Sequence, residues 1–113
     1  MSEEISVGGK LPPITPRERK MYEQEYRHGA QLFQKALQSY VKSNNPYQQK
    51  EFQEVMDKAM RVLNETAKEL SHKALADQNL KIQSDYQNFA QHSGDGVAFE
   101  KLNRDLDQAK KLT

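Results

Sequence analysis

Ser43-Asn44-Asn45-Pro46 separates two long apolar stripes, each laid out at helical spacing. Upstream run Tyr22, Tyr26, Gly29/Ala30, Phe33, Ala36/Leu37 and Tyr40; downstream run Phe52, Val55/Met56, Ala59, Val62/Leu63, Thr66/Ala67 and Leu70. Steps of three and four residues put each set on one face of a helix and leave the other face wet. Two such helices joined by so short a turn must fold back on each other, so the tetrapeptide predicts an antiparallel helical hairpin.

Both helices carry good start signals. Thr15 suits an N-cap, Pro16 the first helical position, and Glu18 the third residue of a capping box. The first helix is therefore predicted over residues 16–42. Asn45, Pro46 and Gln48 repeat the arrangement for the second. Before the first helix, Met1–Ile14 carries Gly8, Gly9, Pro12 and Pro13 with little to pack, and reads as a disordered arm.

No Gly or Pro follows Pro46 until Gly94. The stretch 46–91 reads either as one helix, ~69 Å long at 1.5 Å per residue, or as two helices broken near residues 75–79. The apolar pattern motivates the second option. Leu75, Ile82, Tyr86 and Phe89 sit rotated by roughly 130° from the Phe52–Leu70 stripe on an ideal helix, and Asp77 is a possible cap for a new start. After the turn Ser93-Gly94-Asp95-Gly96, a last helix is predicted over 97–111 with Phe99, Leu102, Leu106 and Ala109 on one face. The rotated stripe is its natural partner. The fold class is all-α: a helical hairpin extended to a three- or four-helix bundle over residues 15–113.

Composition narrows the function classes. Of 113 residues, 35% are hydrophobic and 29% charged, and the net charge is +1. Acids and bases interleave along the chain, which leaves no electrostatic footprint for nucleic acid or anionic lipid. The absence of Cys excludes disulfides, thiolate metal sites and a Cys nucleophile. No apolar run reaches the ~18 residues of a membrane helix, and Met1–Lys10 lacks the apolar core of a secretory signal. The expected location is the cytoplasm. Glu23–Arg27, Glu54–Lys58, Asp57–Arg61, Glu69–Lys73, Asp77–Lys81, Glu100–Arg104 and Asp107–Lys111 are acid-before-base pairs four apart. Each is worth ~0.2–0.5 kcal/mol on an exposed helix face, and together they absorb most of the acids.

Glu25-Tyr26-Arg27-His28 and Glu69-Leu70-Ser71-His72 share the Glu-x-x-His spacing of helical bundles that hold two metal ions. Geometry opposes that use. In a hairpin turning at residues 44 and 45, the two histidines lie ~16 Å apart along the axis. Each also points roughly 140° away from its apolar stripe. His92, beside the 93–96 turn, suits contacts with terminal carbonyls. Gly94-Asp95-Gly96 is too short for a phosphate or calcium loop. Arg17, Arg19 and Lys20 are opposed by Glu18, Glu23 and Glu25, a poor phosphate-binding patch. No catalytic group, cofactor or small-molecule site emerges.

The turn 43–46 with the following 48–70 resembles the subunits of type III secretion needles. The likeness covers under half of the chain, which lacks a second proline in the turn and carries an added helix. It implies a secretion component or a small chaperone serving one. Hairpin proteins with Trp-x-Gly in the turn fit less well, because there is no Trp. The residues themselves point to a non-catalytic protein–protein interaction module: an adaptor, assembly factor or chaperone-like protein binding a protein partner or a second copy. Met60, Leu75, Ile82, Tyr86 and Phe89 are the expected contact residues.

Overall fold

The chain begins its first helix where the cap signals place it. In a computed structural model that describes residues 14–113, α1 spans Pro16–Lys42 and α2 spans Pro46–Leu70. The Thr15 hydroxyl accepts from the Glu18 N–H at 3.1 Å, and the Glu18 carboxylate accepts from the Thr15 N–H at 3.0 Å. The capping box is complete. Asn45 caps α2 through its side-chain oxygen, which accepts from the Tyr47 N–H at 2.9 Å. Gln48 does not reach back to the Asn45 N–H as its position suggested. Its side-chain oxygen takes the Ser43 hydroxyl at 3.1 Å, and the Ser43 oxygen serves Asn45 N–H instead. The expected disordered arm lies, up to Pro13, outside the described residues. Ile14, assigned to that arm, is half-buried against the core, held there by the capping box it adjoins.

The second stretch is two helices, and the break comes earlier than residues 75–79. After α2 ends at Leu70, Ser71 takes a left-handed conformation (φ 50°, ψ 39°) and α3 runs Lys73–Gln91. The Ser71 N–H donates to the Lys68 carbonyl and the His72 N–H to the Ala67 carbonyl, the two bonds of a Schellman ending. His72 then caps α3, its Nδ1 accepting from the Leu75 N–H at 3.2 Å. Asp77, the expected cap, is an exposed residue inside α3. Turning at 71–72 lets Leu75 open a new buried face, which accounts for the rotated stripe. It also parts Glu69 from Lys73, which lie on different helices. Among the described residues none of the seven pairs closes to 4 Å; the ion pairs that do form include Lys101–Asp85 and Lys110–Asp107.

At the far end of α3 the His92 N–H reaches the Asn88 and Phe89 carbonyls, and Asp95 caps α4, Gly96–Lys111, through the Val97 N–H at 2.9 Å. The fold is all-α: the described residues form four helices around one apolar core. α1 packs against α2 and α4, and α3 against α2 and α4. Gly29 makes the α1–α2 approach close: a Cβ there would stand 3.1 Å from Val62 Cγ1 and 3.4 Å from Leu63 Cδ2. Tyr26, Phe33, Leu37, Met56, Leu63 and Leu70 fill one part of the core; Leu75, Ile82, Phe89, Leu102 and Leu106 fill the rest. The molecule is long, 58 × 22 × 20 Å, with a radius of gyration of 16.2 Å, against ~13 Å for a globule of this length. Among the described residues no helix is long and apolar enough to cross a membrane.

Ser71 is exposed and holds a φ that only glycine adopts without strain. Ser71→Gly is expected to stabilise the fold by about 0.5–1 kcal/mol, measured as a rise in urea midpoint with an unchanged slope.

Candidate functional site

Three polar assemblies and a set of exposed apolar side chains interrupt the otherwise plain helix packing. The first lies at the core. Asn79 of α3 is buried, accepts the Tyr26 hydroxyl of α1 and donates to the Leu63 carbonyl of α2 at 2.9 Å. One amide thus ties three helices, and burial pushes the Tyr26 phenol well above its ordinary value. A second tie lies alongside. The Tyr86 hydroxyl donates to Asp57 of α2 at 2.6 Å, and its ring stands edge-on to Phe33 of α1 at 5.1 Å. Burial, then the Asp57 carboxylate, raises the Tyr86 phenol.

The second assembly joins α1 to α4. Gln34, buried on α1, donates to the Asn103 carbonyl at 3.2 Å and to Asp107 at 2.8 Å, and accepts from Lys110 at 2.7 Å. Lys110 also pairs with Asp107 at 3.2 Å. The Gln34 hydrogen bond, with Lys110 behind it, holds the Asp107 carboxyl below its ordinary value against a smaller opposing effect of burial.

The third is an open groove of about 530 Å³ between α3 and α4, lined by Leu80, Lys81, Ser84, Asp85, Lys101 and Asp105. Asp85 is only 5% exposed, with Oδ1 3.4 Å from Lys101 Nζ, while Oδ2 has no hydrogen-bond partner. Burial first, and then the facing Asp105 carboxyl, push the Asp85 carboxyl up to about 6; Lys101 pulls the other way. Two turns back along α3, Gln78 donates to the Asp105 carbonyl at 2.8 Å across the same two helices.

The expected contact residues lie elsewhere than on an open face. Met60, Leu75, Ile82 and Phe89 are buried within this chain, and Tyr86 is half-buried. The turn at residues 71–72 folds α3 back so that its stripe is buried within the chain, Phe89 standing edge-on to Tyr40 of α1 at 5.6 Å. The apolar side chains that do face solvent include Leu80 at 68% and Val97 at 74% exposure, with Tyr47, Met21 and Leu32. Of the two Glu-x-x-His motifs, Glu25, His28 and Glu69 are exposed and His72 serves as a cap. Among the described residues no three His, Cys, Asp or Glu are grouped to hold a metal ion.

Sequence reading passed over Gln34, Asn79 and Asp85. A signal existed for two of them: Leu75, Asn79, Ile82, Asp85 and Phe89 follow one another at steps of four and three, so Asn79 and Asp85 share the buried stripe of α3. No protein-family model matches the chain, and no curated protein or solved structure is significantly similar to it.

The Asn79 bridge is expected to be energetically coupled to Tyr26. Asn79→Ala should cost about 1–3 kcal/mol by stranding the buried Tyr26 hydroxyl. In the Tyr26→Phe background the same change should cost less, the difference being read from a double-mutant cycle in urea.

Proposed function

We propose that this chain is a non-catalytic protein–protein interaction module, an adaptor, assembly factor or chaperone-like protein of the cytoplasm, and that its first partner is a second copy of itself. In this reading α1 and α2 form an antiparallel hairpin, closed by the three residues 43–45, and α3 with α4 lies along it. The contact of Gly29 with Val62 and Leu63 supports that pairing, since Gly29 lies ~20 Å and Val62 ~24 Å along their helices from the turn.

The observation that carries the functional reading is Leu80. It stands 68% exposed at the lip of the α3–α4 groove. Val97, 74% exposed, opens the first turn of α4. Large aliphatic side chains held this open on rigid helices favour burial against another protein, at about 25 cal/mol per Å² of apolar area covered. The polar ties between the helices have structural uses, which supports a role without chemistry.

The needle-like alternative draws support from the 43–46 turn alone, since the chain adds α3 and α4 beyond the hairpin. A metal-holding bundle needs inward carboxylates and histidines, and Glu25, His28 and Glu69 face solvent. That alternative draws no support.

Sedimentation over a concentration series tests the reading. The native chain is expected to dimerise reversibly, and Leu80→Glu combined with Val97→Glu to weaken the dimer at least tenfold while leaving helicity unchanged. A native chain that stays monomeric into the hundreds of micromolar, or a dimer indifferent to both substitutions, would remove self-pairing.

A further inference from the structure

The α3–α4 groove holds two carboxyl groups, one on each helix, and one of them is in an unusual position. Asp85 is nearly sealed from solvent, and its Oδ2 has no donor. Lys101 meets Oδ1 alone, at 3.4 Å, and its own side chain is 64% exposed, so its charge is shared with water. Asp105 faces Asp85 across the groove, its backbone fixed to α3 by the Gln78 hydrogen bond. Two ionised carboxylates held face to face by their backbones repel, whereas a single proton between them turns the repulsion into a short, charge-assisted hydrogen bond.

We propose that Asp85 and Asp105 form a proton-operated latch between α3 and α4, closed when they share a proton and slackened when both are ionised. The orphaned Oδ2 is the oxygen that lacks a partner until a proton arrives. Charged groups facing Asp85 are Asp105 and Lys101 from α4, with Lys81 one turn away on α3 itself. The lining comes from α3 and α4, and α2's acid at this level, Asp57, is engaged by the Tyr86 hydroxyl. Lys101 favours the ionised state and sets how far the latch slackens; it does not reach Oδ2.

The direction of the pH effect follows from the raised folded-state value of Asp85. Its proton is held more tightly folded than unfolded, so the folded state gains at low pH. That gain is complete below the ordinary aspartate range and is lost as pH rises toward about 6. A shift from 3.8 to about 6 corresponds to about a hundredfold change in the folding equilibrium at most. Leu80 lines the same groove, so self-association through it would cover the latch, and the latch is read on the monomer.

Urea unfolding of the full chain at pH 4.5, 5.5, 6.5 and 7.5, at a concentration where it is monomeric, tests this. Imidazoles also change charge in part of that range, so the readout is the difference between native chain and variant. Asp85→Asn carries a permanent donor toward Asp105 and mimics the closed latch. It is expected to match the native chain at pH 4.5 and to be at least tenfold more stable at pH 7.5. Asp105→Asn should flatten the dependence in part, since the burial of Asp85 remains, and Lys101→Met should steepen it. Carbon-detected NMR should place the Asp85 carboxyl titration near 6 in the native chain, and lower it in Asp105→Asn. Parallel pH profiles for the native chain and both Asn variants, or an Asp85 carboxyl that titrates in the ordinary range, would overturn the proposal.

Discussion

The backbone reversal at Ser71 and His72 is the constraint on which the rest of this fold depends. Without it the residues from Pro46 to Gln91 form a single rod, and Leu75, Ile82 and Phe89 face away from α1. With it, two hydrogen bonds end α2, one imidazole nitrogen starts α3, and the second buried stripe swings onto the first. Every polar tie described above, from Asn79 to Tyr86 and Asp85, lies downstream of that turn. The cost is a serine in left-handed backbone, a conformation worth roughly 1 kcal/mol of strain. The chain meets this cost at an exposed position, where no packing is disturbed.

Polar residues in the interior act here as alignment devices. Leu, Ala and Met surfaces slide past one another with small penalties, so an apolar seam leaves helix register loosely defined. Asn79 and Gln34 remove that freedom. Asn79 is satisfied only when α3 sits at the level of Tyr26 and Leu63, and Gln34 only when α4 presents the Asn103 carbonyl together with Asp107. Each acts between helices that are distant in sequence. Together they position α3 and α4 on the α1–α2 pair.

Much of this was legible in the residues. The Thr15 and Asn45 caps, the two stripes from Tyr22 to Leu70 and the last helix follow directly from spacing and capping chemistry, because those signals are local. The break was legible as a rotation of the apolar face, while its position was not. No glycine marks Ser71, and a histidine is a rare N-cap, so Asp77 was the better candidate on residue type alone. The burial of the expected contact residues was hidden for a different reason. Whether Ile82 or Phe89 meets solvent or the rest of the chain is decided by the three-dimensional path after residue 71, and the sequence pattern of a covered stripe equals that of an open one. Asp85 lay on that stripe, yet an acid amid apolar positions reads as an exposed residue until its neighbour on α4 is known.

The layout of the packing also sorts the four helices into two pairs. α1 is most extensively packed against α2, its neighbour in sequence, and α3 against α4. Contacts between such neighbours close shorter loops than those that join the two pairs. The two pairs nevertheless share one apolar core, to which each of the four helices contributes. The long rod is in this sense two sequence-local pairs whose interior is common property, so neither pair buries its own stripe without the other.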